Sequence, residues 1–333
     1  MKSYDTRINS IELLRFILMF MVIVLHVLYH GKGIFNSPVA SFQEAGDVML
    51  FSVSVIAVNC FVFISGFFGL TFSIDLVKRL LFQALSTAVI LLIVQIFRGP
   101  FTILLMIRSL LPILSNYWWF LSMYILLFIF SPIINRGIAS LEQRHFAVLL
   151  SLLLICNNLG SWLFFSFSGE MGYSILNFIV IYLVGRYTAA YSPFQKVKSP
   201  FCWYFSILIL LSLSGIIIGA YATKYFERFY SYNNPAILLM AVLFFETFKR
   251  INITFNIRNY SKYVLGIYLF HDNILGRDLI KFFLETTVFT YLGSIGPAII
   301  LFFLALIAEM IRYWLVSKLP IQRAYNKFIQ IKW

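Results

Sequence analysis

A histidine and an arginine in the first apolar run are the side chains of this sequence best placed to do chemistry. The run reads IELLRFILMFMVIVLHVLYH and contains Arg15 and His26, eleven residues apart. In an α-helix this spacing brings both side chains to within about 20° of one face, separated by about 16 Å along the axis. Imidazole acts as a general base near neutral pH, and a guanidinium binds phosphate through several hydrogen bonds. The pair therefore predicts a base and an anion-binding group on one stripe of a helix.

Each of these residues also has a structural interpretation. His26 could be a buried histidine bonded to a carbonyl, and Arg15 could extend to the membrane surface and pair with Glu12. An ionisable residue at membrane depth is costly and usually faces the interior of a helix bundle, which favours a functional role for His26. For Arg15 the two interpretations are balanced. His30 lies one turn after His26 and could join it as a metal ligand, but the sequence offers no third ligand, so we expect no metal.

Polar residues also occur in and after the second apolar run, which ends in NCFVFISGFFGL. Small residues such as Ser65 and Gly66 let membrane helices approach closely. As a nucleophile Ser65 would need an adjacent base, which spacing alone cannot supply, so packing or a broken-helix turn is the favoured role. Asn59 begins this motif. Lys78 and Arg79 follow it and either orient the helix or help to hold an anionic donor.

Two later runs carry further candidates, NYWWFLSMYILLFIFSP and LGIYLFHDNIL. Trp118 and Trp119 are typical of an aromatic belt at the membrane interface, which is the favoured interpretation, although tryptophan faces also stack on sugar rings. His271 is a second imidazole in an apolar run, and Asp272 is its neighbour. Adjacent helical residues point about 100° apart, so another helix must supply the partner of His271.

These residues lie in a chain that needs lipid as its solvent. It is 61% hydrophobic and 12% charged, whereas about a quarter of the residues in soluble domains are charged. Ten apolar runs are long enough to be membrane helices or nearly so. The predicted spans are 11–29, 48–70, 80–97, 117–134, 146–165, 173–187, 201–221, 235–248, 264–283 and 289–316. We predict an all-α polytopic membrane helix bundle that forms a single domain over residues 1–333.

The cationic residues predict how the bundle is oriented. The formal charge is +13, but Lys and Arg are scattered through short loops, so we expect membrane lipids and no nucleic acid as partners. With the N-terminus in the cytoplasm, most of them fall on the cytoplasmic side, which also places the C-terminus there. The apolar segment 101–114 contains Arg108, and counting it as a span would reverse this bias. We therefore expect it to lie at the outer interface.

Taken together, four motifs resemble the integral-membrane acyltransferase 3 family, and within it the surface-polysaccharide O-acyltransferases. They are the Arg15–His26 pair, FVFISGFF, WWFLSMYILLFIFSP and GIYLFHDN, in the family's order, and they extend from about Asn9 to the tenth span. The resemblance implies a ten-helix enzyme of the cytoplasmic (inner) membrane. It implies transfer of acetyl from acetyl-CoA, a co-substrate rather than a bound cofactor, to a hydroxyl of a cell-surface polysaccharide or its lipid-linked precursor.

The resemblance also implies roles for individual residues. His26 matches the catalytic histidine, and Arg15 matches the arginine associated with the donor. We expect Lys78 and Arg79 to contribute to the same donor-binding site. Many relatives have aspartate where this chain has Asn59. The supporting or acceptor-site residues are Asn59, Ser65, Trp118, Trp119, His271 and Asp272.

Two alternatives remain open at this stage. Transfer could pass through a covalent acyl-histidine rather than occur directly, because imidazole can serve as a nucleophile as well as a base. A transporter or flippase for a lipid-linked sugar or polysaccharide would also have many helices and a polar interior path. Against the transporter, the sequence has no obvious internal repeat of the kind that many transporters carry.

Overall fold

The chain folds into α-helices, and the part that the structure describes contains no β-strand. The computed structural model describes residues 9–99, 102–164, 170–254, 257–286 and 293–318. Its helices are α1 (Asn9–His26), α2 (Phe42–Ser54), α3 (Ala57–Phe68), α4 (Ile74–Arg98), α5 (Ile103–Leu110), α6 (Trp119–Ala139), α7 (Gln143–Leu153), α8 (Ser161–Phe164), α9 (Ile175–Tyr191), α10 (Pro200–Tyr221), α11 (Phe226–Phe229), α12 (Pro235–Lys249), α13 (Arg258–Ser261), α14 (Val264–His271), α15 (Ile274–Glu285) and α16 (Ile295–Lys318). Two π-helical segments, Val27–Gly31 and Leu154–Gly160, continue α1 and α7.

The prediction of an all-α polytopic membrane bundle is confirmed. Seven segments of the described chain are long and apolar enough to cross a membrane, namely Asn9–Gly31, Phe42–Phe68, Ile74–Arg98, Trp119–Ala139, Gln143–Phe164, Pro200–Tyr221 and Ile295–Lys318. Helices α9 and α12, of 17 and 15 residues, correspond to two shorter predicted runs. The total of ten spans and the cytoplasmic termini stay predictions. Helix α5 has 8 residues and reaches only about 12 Å, too little to cross the hydrocarbon.

The ninth predicted span, 264–283, is wrong as a single continuous helix. Helix α14 ends at His271, and α15 begins at Ile274 after two residues that leave helical geometry. Asn273 has extended backbone angles, and its Oδ1 accepts a hydrogen bond of 3.1 Å from the backbone N–H of Gly276. Asn side chains compete with the helix for backbone groups in this way. Because of this break, a continuous helix does not fix the direction of the Asp272 carboxylate.

Helix α1 lies inside the bundle. It packs against α2, α3, α12, α14 and α16, and most of its apolar side chains are buried. Helix α3 packs closely on α9, because a Cβ atom added at Gly66 would collide with the backbone carbonyl of Tyr182, and one at Gly185 with the backbone of α3. The predicted close approach at Gly66 is therefore confirmed.

Candidate active site

A cavity of about 380 Å³ joins the two residues that the sequence singled out. Arg15, Met19, Val22 and His26 line it from α1. These positions are spaced by three or four residues and so form one stripe of the helix, as the sequence predicted. The cavity volume falls within the range of about 300–1,000 Å³ that is usual for small-molecule sites. One continuous space therefore connects a guanidinium with an imidazole along the inner face of α1.

His26 forms a hydrogen-bonded pair with His271, across 245 positions of sequence. The distance between His271 Nε2 and His26 Nδ1 is 3.0 Å, and His271 Nδ1 lies 2.7 Å from the backbone carbonyl of Ile267. A carbonyl only accepts hydrogen bonds, so Nδ1 of neutral His271 carries the hydrogen and Nε2 accepts. His26 must then donate through Nδ1, which leaves Nε2 as its unprotonated nitrogen. The prediction that another helix supplies the partner of His271 is confirmed, since that partner lies on α1.

A carboxylate completes this cluster. Asp272 Oδ1 lies 3.9 Å from His26 Nδ1, and it also accepts a hydrogen bond of 3.3 Å from Arg277 Nη2. The Asp272 side chain is only 5% exposed, whereas the Arg277 side chain is 47% exposed. The carboxylate is therefore positioned to stabilise positive charge on the ring of His26.

Three described residues could hold a metal ion. His26, His30 and Asp272 have ligand atoms that all lie within 4.8 Å of one another. Asp272 thus supplies the third ligand that the sequence did not reveal, because it comes from a distant part of the chain. A metal on His26 Nε2 would occupy the lone pair that a general base needs. The expectation of no metal stays a prediction.

Arg15 lies where either of the two interpretations that the sequence left open can hold. It lines the cavity, and its Nη1 donates a hydrogen bond of 2.6 Å to Oε1 of the buried Glu12. Its side chain is still 29% exposed. Lys78 is buried and Arg79 is exposed, and neither lines the cavity although Leu80 does. The donor-binding roles of Arg15, Lys78 and Arg79 stay predictions.

The supporting residues divide into those at the cavity and those behind it. Ser65 and Trp119 line the cavity. The hydroxyl of Ser65 lies 3.1 Å from the hydroxyl of Tyr124 and donates to the carbonyl of Phe61, so its bonding is that of a packing residue. Asn59 lies behind the wall, where its Nδ2 donates a hydrogen bond of 2.8 Å to the carbonyl of Tyr232.

Trp118 and Trp119 do not form an exposed aromatic belt. Trp118 is completely buried beside Tyr117. Trp119 packs against Tyr173 and Tyr232, with ring centroids at 4.5 Å and 5.8 Å. The start of α6 therefore builds the wall of the cavity rather than facing lipid.

A comparison with known protein families identifies the class of protein. The sequence profile of the acyltransferase 3 family, described as an acyltransferase domain, matches residues 8–314 and so covers all four motifs. This chain belongs to the acyltransferase 3 family. It is a multi-pass membrane acyltransferase. No curated protein and no solved structure matched the chain in the corresponding comparisons.

One further residue of this acyltransferase reaches the cavity without having been singled out from the sequence. Tyr268 lines the cavity, and its buried hydroxyl has no hydrogen-bond partner within normal distance among the described residues, although it lies close to the Asp272 carboxylate and to the backbone of Phe120. Its ring centroid is 6.0 Å from that of His271. Tyr268 precedes His271 by three residues in GIYLFH, so helical spacing would have placed the two on one face.

Proposed function

We propose that this acyltransferase moves acetyl from acetyl-CoA to a hydroxyl of a cell-surface polysaccharide or of its lipid-linked precursor. We further propose that it acts in the cytoplasmic membrane, with the donor on the Arg15 side of the cavity and the acceptor on the His30 side. The observation that carries the proposal is the single cavity that Arg15 and His26 both line.

The hydrogen bonds around His26 support a role as general base. Because Nδ1 donates to His271, Nε2 is left to take a proton. In the proposed reaction, His26 Nε2 removes the proton from the acceptor hydroxyl while that oxygen attacks the thioester carbonyl. The carbon–sulfur bond then breaks, and the departing thiolate takes the proton back from Nε2. The products are an acetyl ester and free coenzyme A, and the enzyme is regenerated.

Two groups are positioned to stabilise the charges that form during this reaction. The Asp272 carboxylate stabilises the His26 imidazolium from 3.9 Å. The second group is the hydroxyl of Tyr268, a residue that lines the same cavity; this hydroxyl has no hydrogen-bond partner within normal distance among the described residues and can donate to the oxygen of the tetrahedral intermediate. Preorganised donors of this kind act strongly in sites that exclude water.

The length of the helix supports the proposed direction of donor binding. Eleven residues of α1 separate Arg15 from His26 by about 16 Å, which is a suitable reach for an extended pantetheine arm. A phosphate near Arg15 would compete with Glu12 for the guanidinium, whose planar group offers several donors at once. The thioester would then lie beside His26 at the far end of the cavity.

The decisive experiment replaces His26 with alanine and uses His145 as the matched control. His145 is a 68%-exposed histidine near the start of α7, so His145→Ala should leave transfer unchanged. Each purified variant is incubated with labelled acetyl-CoA and with surface polysaccharide from the cells that make this protein. The polysaccharide is first treated with mild alkali to remove its acetyl esters. We expect His26→Ala to abolish acetyl ester formation, detected by NMR of the polysaccharide. Normal acetylation by folded His26→Ala protein would refute the proposal.

The same assay separates this proposal from the transporter alternative. An enzyme consumes the thioester and releases coenzyme A thiol, whereas a flippase would move glycan without consuming acetyl-CoA. Membership of the acyltransferase 3 family favours the enzyme. Quenching the reaction during turnover also tests the covalent alternative, because acyl-histidine would label the protein itself.

A further inference from the structure

We propose that Tyr29, Tyr173 and Glu227 form a subsite that binds a sugar ring of the acceptor beside the catalytic cavity. This inference rests on the proposed function and deepens it by naming where the acceptor is held. The three residues belong to different parts of the chain: the π-helical segment after α1, the residue before the N-cap of α9, and α11.

A continuous wall of aromatic rings connects this subsite with the catalytic cavity. Tyr29, Tyr173 and Glu227 line a shallow pocket of about 20 Å³ together with Tyr232, and Tyr232 also lines the main cavity. A sugar ring is larger than this pocket, so it would rest on the exposed faces of Tyr29 and Tyr173. The ring centroids of Tyr173 and Tyr232 are 5.3 Å apart, and both rings contact Trp119. A ring held at Tyr29 and Tyr173 would therefore lie beside Tyr232 and Trp119, which line the catalytic cavity.

The subsite also offers a hydrogen-bond acceptor suited to hydroxyl groups. The Tyr29 hydroxyl donates a hydrogen bond of 2.8 Å to Oε1 of Glu227. No hydrogen bond from the described residues reaches Oε2, so this carboxylate oxygen is free to accept from a sugar hydroxyl. A pyranose has an apolar C–H face and polar hydroxyl groups. The tyrosine rings are complementary to the C–H face, and the carboxylate is complementary to the hydroxyl groups.

The degree of exposure distinguishes these tyrosines from the packing residues behind them. Tyr29 and Tyr173 are 40% and 44% exposed, whereas Tyr230, which lines the same pocket, is 3% exposed. Tyrosines at a membrane interface are also partly exposed and serve as anchors. An anchoring role does not require the Tyr29–Glu227 hydrogen bond or the shared wall with the catalytic cavity. These two features favour the binding role.

The test measures KM for each substrate separately in the full-length protein. The variants are Glu227→Gln, which keeps the size of the side chain, and Tyr173→Ala. Their matched controls are Glu142→Gln and Tyr225→Ala, because Glu142 has an 84%-exposed side chain and Tyr225 is 55% exposed. The acceptor is surface polysaccharide from the producing cells, freed of acetyl esters with mild alkali, and the donor is acetyl-CoA.

We expect Glu227→Gln to raise KM for the polysaccharide about tenfold, the loss typical of one hydrogen bond to a charged group. Tyr173→Ala should raise the same KM because it removes the ring face on which the sugar packs. KM for acetyl-CoA and the behaviour of both controls should not change. If wild-type protein acetylates the polysaccharide while both variants keep its KM, the subsite is refuted and the proposed function stands. A fall in kcat with unchanged acceptor KM would also refute it, since that pattern indicates a structural role. If wild-type protein transfers nothing, the proposed function itself fails.

Discussion

The charge on Asp272 should control how fast His26 takes a proton. At 3.9 Å from His26 Nδ1, a unit charge contributes roughly 4 kcal/mol at an effective dielectric constant of about 20. Substituting Asp272→Asn keeps the size of the side chain but removes this stabilisation from the imidazolium, which forms only during the reaction. Roughly 4 kcal/mol corresponds to about 10³-fold in rate. Solvent around the half-exposed Arg277 screens the Asp272 charge, so the loss in rate is smaller than this. We therefore expect kcat to fall by about 10²- to 10³-fold.

The assay follows coenzyme A thiol release at saturating concentrations of both substrates, so that kcat is separated from binding. Asp278→Asn is the matched control, because Asp278 is a nearby aspartate in α15. Its side chain is 46% exposed and pairs with Arg98 at 3.4 Å. That variant should keep normal kcat. A folded Asp272→Asn protein whose kcat stays within threefold of wild type would show that the carboxylate does not act through His26.

Three further predictions concern the oxyanion, the helix contact and metal ions. Tyr268→Phe should lower kcat by about 10²- to 10³-fold with little change in either KM, the usual loss for one oxyanion donor; an unchanged kcat would exclude this role. Gly66→Ala should destabilise the protein by about 1–3 kcal/mol, because the added Cβ meets the backbone of Tyr182. Gly137 has open space around it, so Gly137→Ala should not destabilise the protein. Thermal unfolding in detergent compares the two variants. Chelation with EDTA should leave activity intact, and loss of activity in EDTA would show that a metal is needed. Added Zn²⁺ should inhibit wild type more than a His30→Ala variant, since His30 is one of the three possible ligands together with His26 and Asp272.

Most of the fold follows from hydropathy alone. Within lipid a backbone must satisfy its own polar groups, so each long apolar run has to be a helix. Helices α1, α4 and α10 accordingly lie close to the predicted runs. The break between α14 and α15 was not predicted, because apolar residues lie on both sides of Asp272 and Asn273 and window-averaged hydropathy conceals two polar residues.

Within the site, local spacing was informative only along a single helix. The regular 3.6-residue turn fixes which side chains share a face, and it correctly placed Arg15 and His26 on one stripe. Lys78 and Arg79 follow the NCFVFISGFFGL motif in sequence but do not line the cavity; Lys78 is buried and Arg79 is exposed. Their distance from the cavity depends on how α4 is rotated in the bundle, and the order of residues along the chain does not encode that rotation.

The sequence by itself determined that this protein is a membrane helix bundle with a histidine and an arginine on one face of its first helix, because both conclusions depend on distances within a single helix. Only the tertiary structure decided that His26 meets His271 and Asp272, and that Tyr268 faces the same cavity. Those contacts join residues far apart along the chain, and close packing between helices, rather than any local pattern, brings them together.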